Sequence, residues 1–115
     1  MIKQMNDKSV NIELLKERVE EFVEERDWIQ YHNPKNLAMS ISIEAAELME
    51  IFQWSTVADS SKIADTDEFE HLKEELADVL IYSISLANRL DIDITQAILD
   101  KIEKNRLKYP VKGRE

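Results

Sequence analysis

Apolar residues recur along this chain at three- and four-residue steps with charged residues between them, the period of helices that each bury one face. The first run, Ile12, Leu15, Val19, Phe22 and Val23, follows Asn11, a residue type that caps helix starts, and predicts a helix to about Asp27. Trp28 to Asn33 reads as a connector. Pro34 suits the first position of a second helix, where the N–H it lacks would be unpaired in any case. Leu37, Ile41, Leu48, Ile51 and Phe52 then carry the pattern to a stop near Trp54. Ser55 to Thr66 mixes Ser, Asp and Lys with little periodicity, which predicts a loop with room for one short helical turn. Asp67 is the expected cap of a third helix, with Leu72, Leu76, Val79, Leu80, Ile84 and Leu86 as its apolar positions. Asp91 and Asp93 end that helix and open a fourth, Ile94 to about Leu107, ahead of a polar tail with Pro110 and Gly113.

Four helices of roughly 15 to 22 residues with short links predict an all-α four-helix bundle. One Gly and two Pro in 115 residues leave almost no turn punctuation, so β-sandwiches, barrels and a Gly-rich phosphate-cradling loop are excluded. The length suits a single domain over 1–115, with 1–10 and 111–115 expected to be flexible ends. No internal repeat interrupts it. Zero cysteines exclude disulfides, thiolate catalysis and Cys zinc sites, and favour a reducing, cytoplasmic setting. The polar stretch Met1 to Ser9 has no apolar core of a signal peptide, and no segment approaches the roughly 18 apolar residues of a membrane span. An untargeted, soluble protein without a membrane partner is expected. A net charge of −9 repels long nucleic acid.

Four acidic residues change that picture. A turn of about 100° per residue places Glu44 inside the stripe of Leu37, Ile41, Leu48 and Ile51, with Glu47 at its margin beside Ser40 and Glu50 pointing away. On the third helix Glu75 shares the face of Leu72, Val79, Tyr82 and Leu86, Asp78 lies about 60° to one side near Ser85, and Glu74 belongs to the outer face. Carboxylates facing one another out of water cannot all stay ionised without a cation. Oxygen ligands without His or Cys suit Mg²⁺, or Mn²⁺, rather than Zn²⁺ or copper. Such an ion completes its shell with water and phosphate oxygens, which points toward phosphate-ester or anhydride chemistry. With 34% charged residues, a solvated acidic face explains either pair alone, and spacing leaves both readings open.

Glu44-Ala-Ala-Glu47 and Glu75-Leu-Ala-Asp78 resemble the paired acidic motifs of the MazG-like superfamily of all-α nucleoside triphosphate pyrophosphohydrolases. The resemblance runs from about Leu14 to Val111. It is closest to the dCTP pyrophosphatase branch through Glu25-Arg-Asp-Trp28, His32-x-Pro-x-Asn36, Phe52-Gln-Trp54, Glu74-Glu-Leu-Ala-Asp-Val-Leu-Ile-Tyr82 and Asn105-Arg-x-x-Tyr-Pro110. One position departs: Ile43 stands where the broader superfamily often has a further Glu, although the dCTP-type branch commonly lacks it too.

The resemblance implies hydrolysis of a nucleoside triphosphate between its α and β phosphates, dCTP or a related dNTP, as nucleotide-pool house-cleaning. It implies Mg²⁺ held by Glu44, Glu47, Glu75 and Asp78, and base and sugar among aromatic residues, here Trp28, Tyr31, His32, Trp54 and Tyr82. It also implies assembly as a homodimer or homotetramer. Trp28 in a connector and Trp54 at a helix end adjoin the acidic motifs in sequence, where flat rings can stack on a base. Both are equally explained as core plugs, and Tyr82 as packing. Lys35, Lys104, Arg106 and Lys108, with Asn105 as a polar partner, are candidate phosphate contacts on otherwise ordinary helix surfaces. Glu44 or Glu47 is the expected base that positions the attacking water.

Two rival readings remain. A di-iron carboxylate bundle needs two Glu-x-x-His pairs, and only Glu68-x-x-His71 fits, since His32 has Ile29 three residues before it. A non-catalytic acidic interaction module explains the amphipathic helices but leaves the stripe carboxylates without a purpose. A cation bound among them would reverse the local field and admit a polyphosphate into an otherwise repulsive protein.

Overall fold

Each helix begins where a short polar side chain satisfies its first amide groups. The structure is a computed structural model describing residues 5–112; residues 1–4 and 113–115, with Gly113 of the expected tail, lie outside the described part. Helix α1 (Ile12–Glu25) is capped by Asn11, whose side chain accepts from the Leu14 N–H at 3.0 Å. It ends two residues short of the expected Asp27, because Asp27 itself takes the left-handed conformation at φ 57°. There the Trp28 N–H turns back to Val23 O at 3.0 Å. A single 3₁₀ turn, Ile29–Tyr31, fills the connector. Helix α2 (Pro34–Glu50) starts at Pro34, with Asn33 accepting from the Asn36 N–H at 2.9 Å. The Asn36 amide in turn donates to Tyr31 O at 3.1 Å, tying connector to helix. From Glu50 to Trp54 the chain tightens into i→i+3 bonds, such as Phe52 N–H to Met49 O at 3.0 Å.

The expected loop holds α3 (Val57–Ser60), capped by Thr56, and a 3₁₀ turn, Ile63–Asp65. Helix α4 (Glu68–Leu90) corrects one expectation: Asp67 is already helical and its side chain caps nothing. Thr66 does that work, its hydroxyl accepting from the Glu68 N–H at 3.2 Å and donating to Ile63 O at 2.7 Å. At the other end Asp91 adopts φ 54° and returns its N–H to Ala87 O, closing α4. Asp93 then accepts from the Gln96 N–H at 2.8 Å to start α5 (Ile94–Lys108).

The all-α bundle of four long helices is borne out, and its packing is open. Helix α2 packs along α4, and α1 packs on the C-terminal half of α4. There Glu20 pairs with Arg89, the Asn88 amide donates to Lys16 O at 3.1 Å, and Lys16 Nζ donates to Ile92 O at 2.8 Å. Val23, Leu37 and Ala87 are the buried apolar residues. Helix α5 packs closely on no other helix, and Leu76 and Leu80 of α4 lie exposed with Ile98, Leu99 and Ile102 of α5. The reason is visible in α4 itself: Leu72, Val79 and Leu86 form one stripe, on the side where α2 packs, while Leu76 and Leu80 form a second that the described residues leave about half exposed. The radius of gyration, 17.1 Å, exceeds the roughly 13 Å of a compact domain this long. No helix among the described residues is long and apolar enough to cross a membrane.

Candidate functional site

Helices α2 and α4 run antiparallel, so rising positions on α2 meet falling positions on α4, and the two acidic pairs converge. One carboxylate oxygen each from Glu44, Glu75 and Asp78 lie within 4.8 Å of one another, all on half-buried side chains. Glu47, exposed and one turn further along α2, hydrogen-bonds to Glu44. Burial, that hydrogen bond and the charges of Glu47, Asp78 and Glu75 push the Glu44 carboxyl up to about 7. Glu75 Oε2 is buried without a hydrogen-bond partner among the described residues. Converging half-buried carboxylates and an orphaned carboxylate oxygen are a poor arrangement for a solvated face and a good one for a hard divalent cation. The oxygen-only donor set fits such an ion.

At the edge of this cluster lies a residue weighed in the sequence only for the di-iron reading. His71 sets Nε2 3.3 Å from Glu75 Oε1 and Nδ1 3.2 Å from Glu68 Oε2. The hydrogen bond with Glu68, then the charges of Glu68 and Glu75, raise the His71 pKa against the opposing effect of desolvation. An open cleft of about 410 Å³ is lined here by Glu47, Glu50, Ile51, Glu68, His71 and Glu75. Glu50, expected to point away, is exposed but borders this cleft. The Glu68-x-x-His71 spacing, read only as half of a di-iron motif, continues as His71-x-x-x-Glu75, and that i,i+4 step was the available signal.

Beyond the carboxylates lies an aromatic row. Tyr82 is half-buried two turns along α4 from Glu75, and burial, then the charges of Glu44, Asp78 and Glu47, raise its pKa. The His32 ring is 6.1 Å from that of Tyr82 and 6.2 Å from that of Trp28, which meets Phe22 edge-on at 5.6 Å. Burial and the Arg89 guanidinium lower the His32 pKa, with Glu20 opposing them. Its Nδ1 is buried and has no hydrogen-bond partner among the described residues. Phe22, Glu20 and Arg89 are thus supports that sequence reasoning passed over.

The remaining expected contacts are more dispersed. Tyr31 is exposed beside this row, and Trp54, 90% exposed, stacks on no ring among the described residues. Lys35 is exposed on the first turn of α2, and Asn105 is half-buried on α5. Lys104 is exposed, Arg106 pairs with Glu103 at 3.1 Å, and Lys108 lies over its neighbour Tyr109.

The MazG-like family model matches residues 39–115, a span containing all four motif carboxylates. The chain belongs to the MazG-like family. This MazG-like chain is 45% identical over 92 residues to dCTP pyrophosphatase 1 of Rattus norvegicus and of Mus musculus, covering 79% of its own length and 54% of theirs. Against the human protein of that name the identity is 44% over 91 residues, or 78% of this chain and 54% of the relative. The chain spans about half the length of these curated relatives. It is also similar to the crystal structure of a pyrophosphatase from Archaeoglobus fulgidus, with TM-score 0.82, 40% identity, and coverage of 94% of this chain and 100% of that one.

Proposed function

We propose that this MazG-like chain is a nucleoside triphosphate pyrophosphohydrolase that cleaves dCTP or a related deoxynucleoside triphosphate to the monophosphate and pyrophosphate. The observation that carries this reading is the convergence of Glu44, Glu75 and Asp78 from two helices. Named relatives that are dCTP pyrophosphatases support the substrate class. Glu44, Glu47, Glu75 and Asp78 are the residues that would hold Mg²⁺, with Mn²⁺ as a substitute. A divalent cation supplies charge neutralisation to the triphosphate and to the departing pyrophosphate.

The chain's own groups do the rest. The Glu44–Glu47 pair orients a water and accepts its proton as the oxygen bonds to the α-phosphorus. The bond from that phosphorus to the bridging oxygen breaks, and pyrophosphate leaves with the electron pair. Trp28, His32 and Tyr82 offer flat faces to the base, with Tyr31 and Trp54 at the rim. Choosing among bases needs a hydrogen bond to a base edge, which rings alone cannot read. Lys35 and Asn105 are assigned to the phosphates.

We place this chemistry in one domain in the cytoplasm. The unpaired α5, fifteen residues long and too short to be stable alone, favours a homodimer or homotetramer. Pyrophosphate release from a panel of nucleoside triphosphates with Mg²⁺ tests the function and names the base. Glu75→Gln is expected to abolish release while leaving helicity by circular dichroism unchanged. A fully active variant removes the proposal.

A further inference from the structure

Glu75 is held by one oxygen and free at the other. Its Oε1 faces His71 Nε2 at 3.3 Å, while its Oε2 is buried with no partner among the described residues. Residues 68, 71 and 75 follow one another at three- and four-residue steps, so Glu68, His71 and Glu75 stack along a single face of α4. The ring is thereby gripped from both sides, by Glu68 Oε2 at 3.2 Å and by Glu75 Oε1. None of the acidic motifs includes His71. Its nitrogens stand outside the group of Glu44, Glu75 and Asp78 oxygens that lie within 4.8 Å of one another.

We propose that His71 is a positioning residue of the acidic site: it holds Glu75 through Oε1 and leaves Oε2 available to a cation, and Glu68 anchors His71. The inference rests on the divalent-cation reading above and deepens it. A glutamate has three side-chain torsions to fix before it can serve as a ligand, and a hydrogen bond to its outer oxygen fixes them in advance. Outer partners of this kind typically change metal affinity by about 10- to 100-fold when removed. A plain surface ion pair predicts something else. His71 and Glu68 are 51% and 61% exposed, and pairs that open to water add little stability and nothing to cation affinity.

The test is Mn²⁺ binding by the intact chain, followed through the electron paramagnetic resonance signal of free Mn²⁺, with thermal melts alongside. His71→Ala is expected to weaken binding about 10-fold or more with little change in melting temperature. His71→Gln, whose amide N–H can reach the same oxygen, recovers part of the loss. Glu68→Gln gives a smaller loss, because it loosens the ring rather than the ligand. If His71→Ala binds Mn²⁺ as tightly as the unaltered chain, or more tightly, the inference is overturned and the cation site stands. If the unaltered chain takes up no Mn²⁺, the cation reading falls and the inference with it. Should His71→Ala lose its helicity, Glu68→Gln decides, and unchanged affinity there overturns the proposal.

Discussion

Glu44 shows how position alone can change what a carboxyl does. It sits where the α2 stripe would otherwise place a leucine, and burial with three acidic neighbours lifts its pKa from the usual 4.5 to about 7. Between those values the folded chain keeps a proton that the unfolded chain has released, so stability falls as pH rises. The contribution is complete below about 4.5 and is lost as pH passes through 7. In EDTA, Glu44→Gln is therefore expected to melt higher than the unaltered chain at pH 8, with the gap closing towards pH 5. A gap that stays constant with pH would show that Glu44 is ordinary in the folded state. A divalent cation competes for the same site as the proton, so its binding should strengthen as pH rises over the same range.

Among the helices, boundaries were legible wherever a polar side chain reaches its own helix. Asn11, Asn33 and Asp93 each accept from an amide three residues ahead, a contact that needs no tertiary partner. The start of α4 after Asp67 was legible, but the side chain that caps it was not, for a related reason. Thr66 and Asp67 are both capping residue types, and the preceding 3₁₀ turn, which offers Ile63 O to the Thr66 hydroxyl, selects the threonine. Thr66→Ala should cost about 1 kcal/mol, or about 4 °C in melting temperature for a domain of this size. Asp67→Ala should cost less than half of that. Equal losses in thermal melts would return the cap to Asp67.

The whole molecule exposes more apolar surface than a finished domain does. Its accessible area is 9570 Å², against roughly 6,500 Å² for a compact monomer of this mass. The excess includes Leu76 and Leu80 on α4 with Ile98, Leu99 and Ile102 on α5. A second copy of the chain is the partner we assign to these faces. Light scattering on the unaltered chain should give a dimer or tetramer mass, and Ile98→Glu should lower it. A monomer at all concentrations would contradict the assignment.

Periodicity, capping and the types and spacing of the four carboxylates were determined by the sequence alone, because each depends on residues no more than a turn or two apart. The all-α class and the acidic motifs could be read for that reason. Which face of α4 meets α2 could not. The stripe of Leu72, Val79 and Leu86 and the stripe of Leu76 and Leu80 both have helical spacing, and only packing decides that the first is covered. That choice brings Glu75 and Asp78 to Glu44, leaves Glu75 Oε2 buried and unpartnered among the described residues, and sets Tyr82 beside His32. It also puts His71 at the edge of the site, although nothing in Glu68-x-x-His71 by itself separates a support from a surface ion pair. Charges that meet across two helices are long-range facts. Only the tertiary structure makes them neighbours, and the desolvation that gives them chemistry comes with that contact.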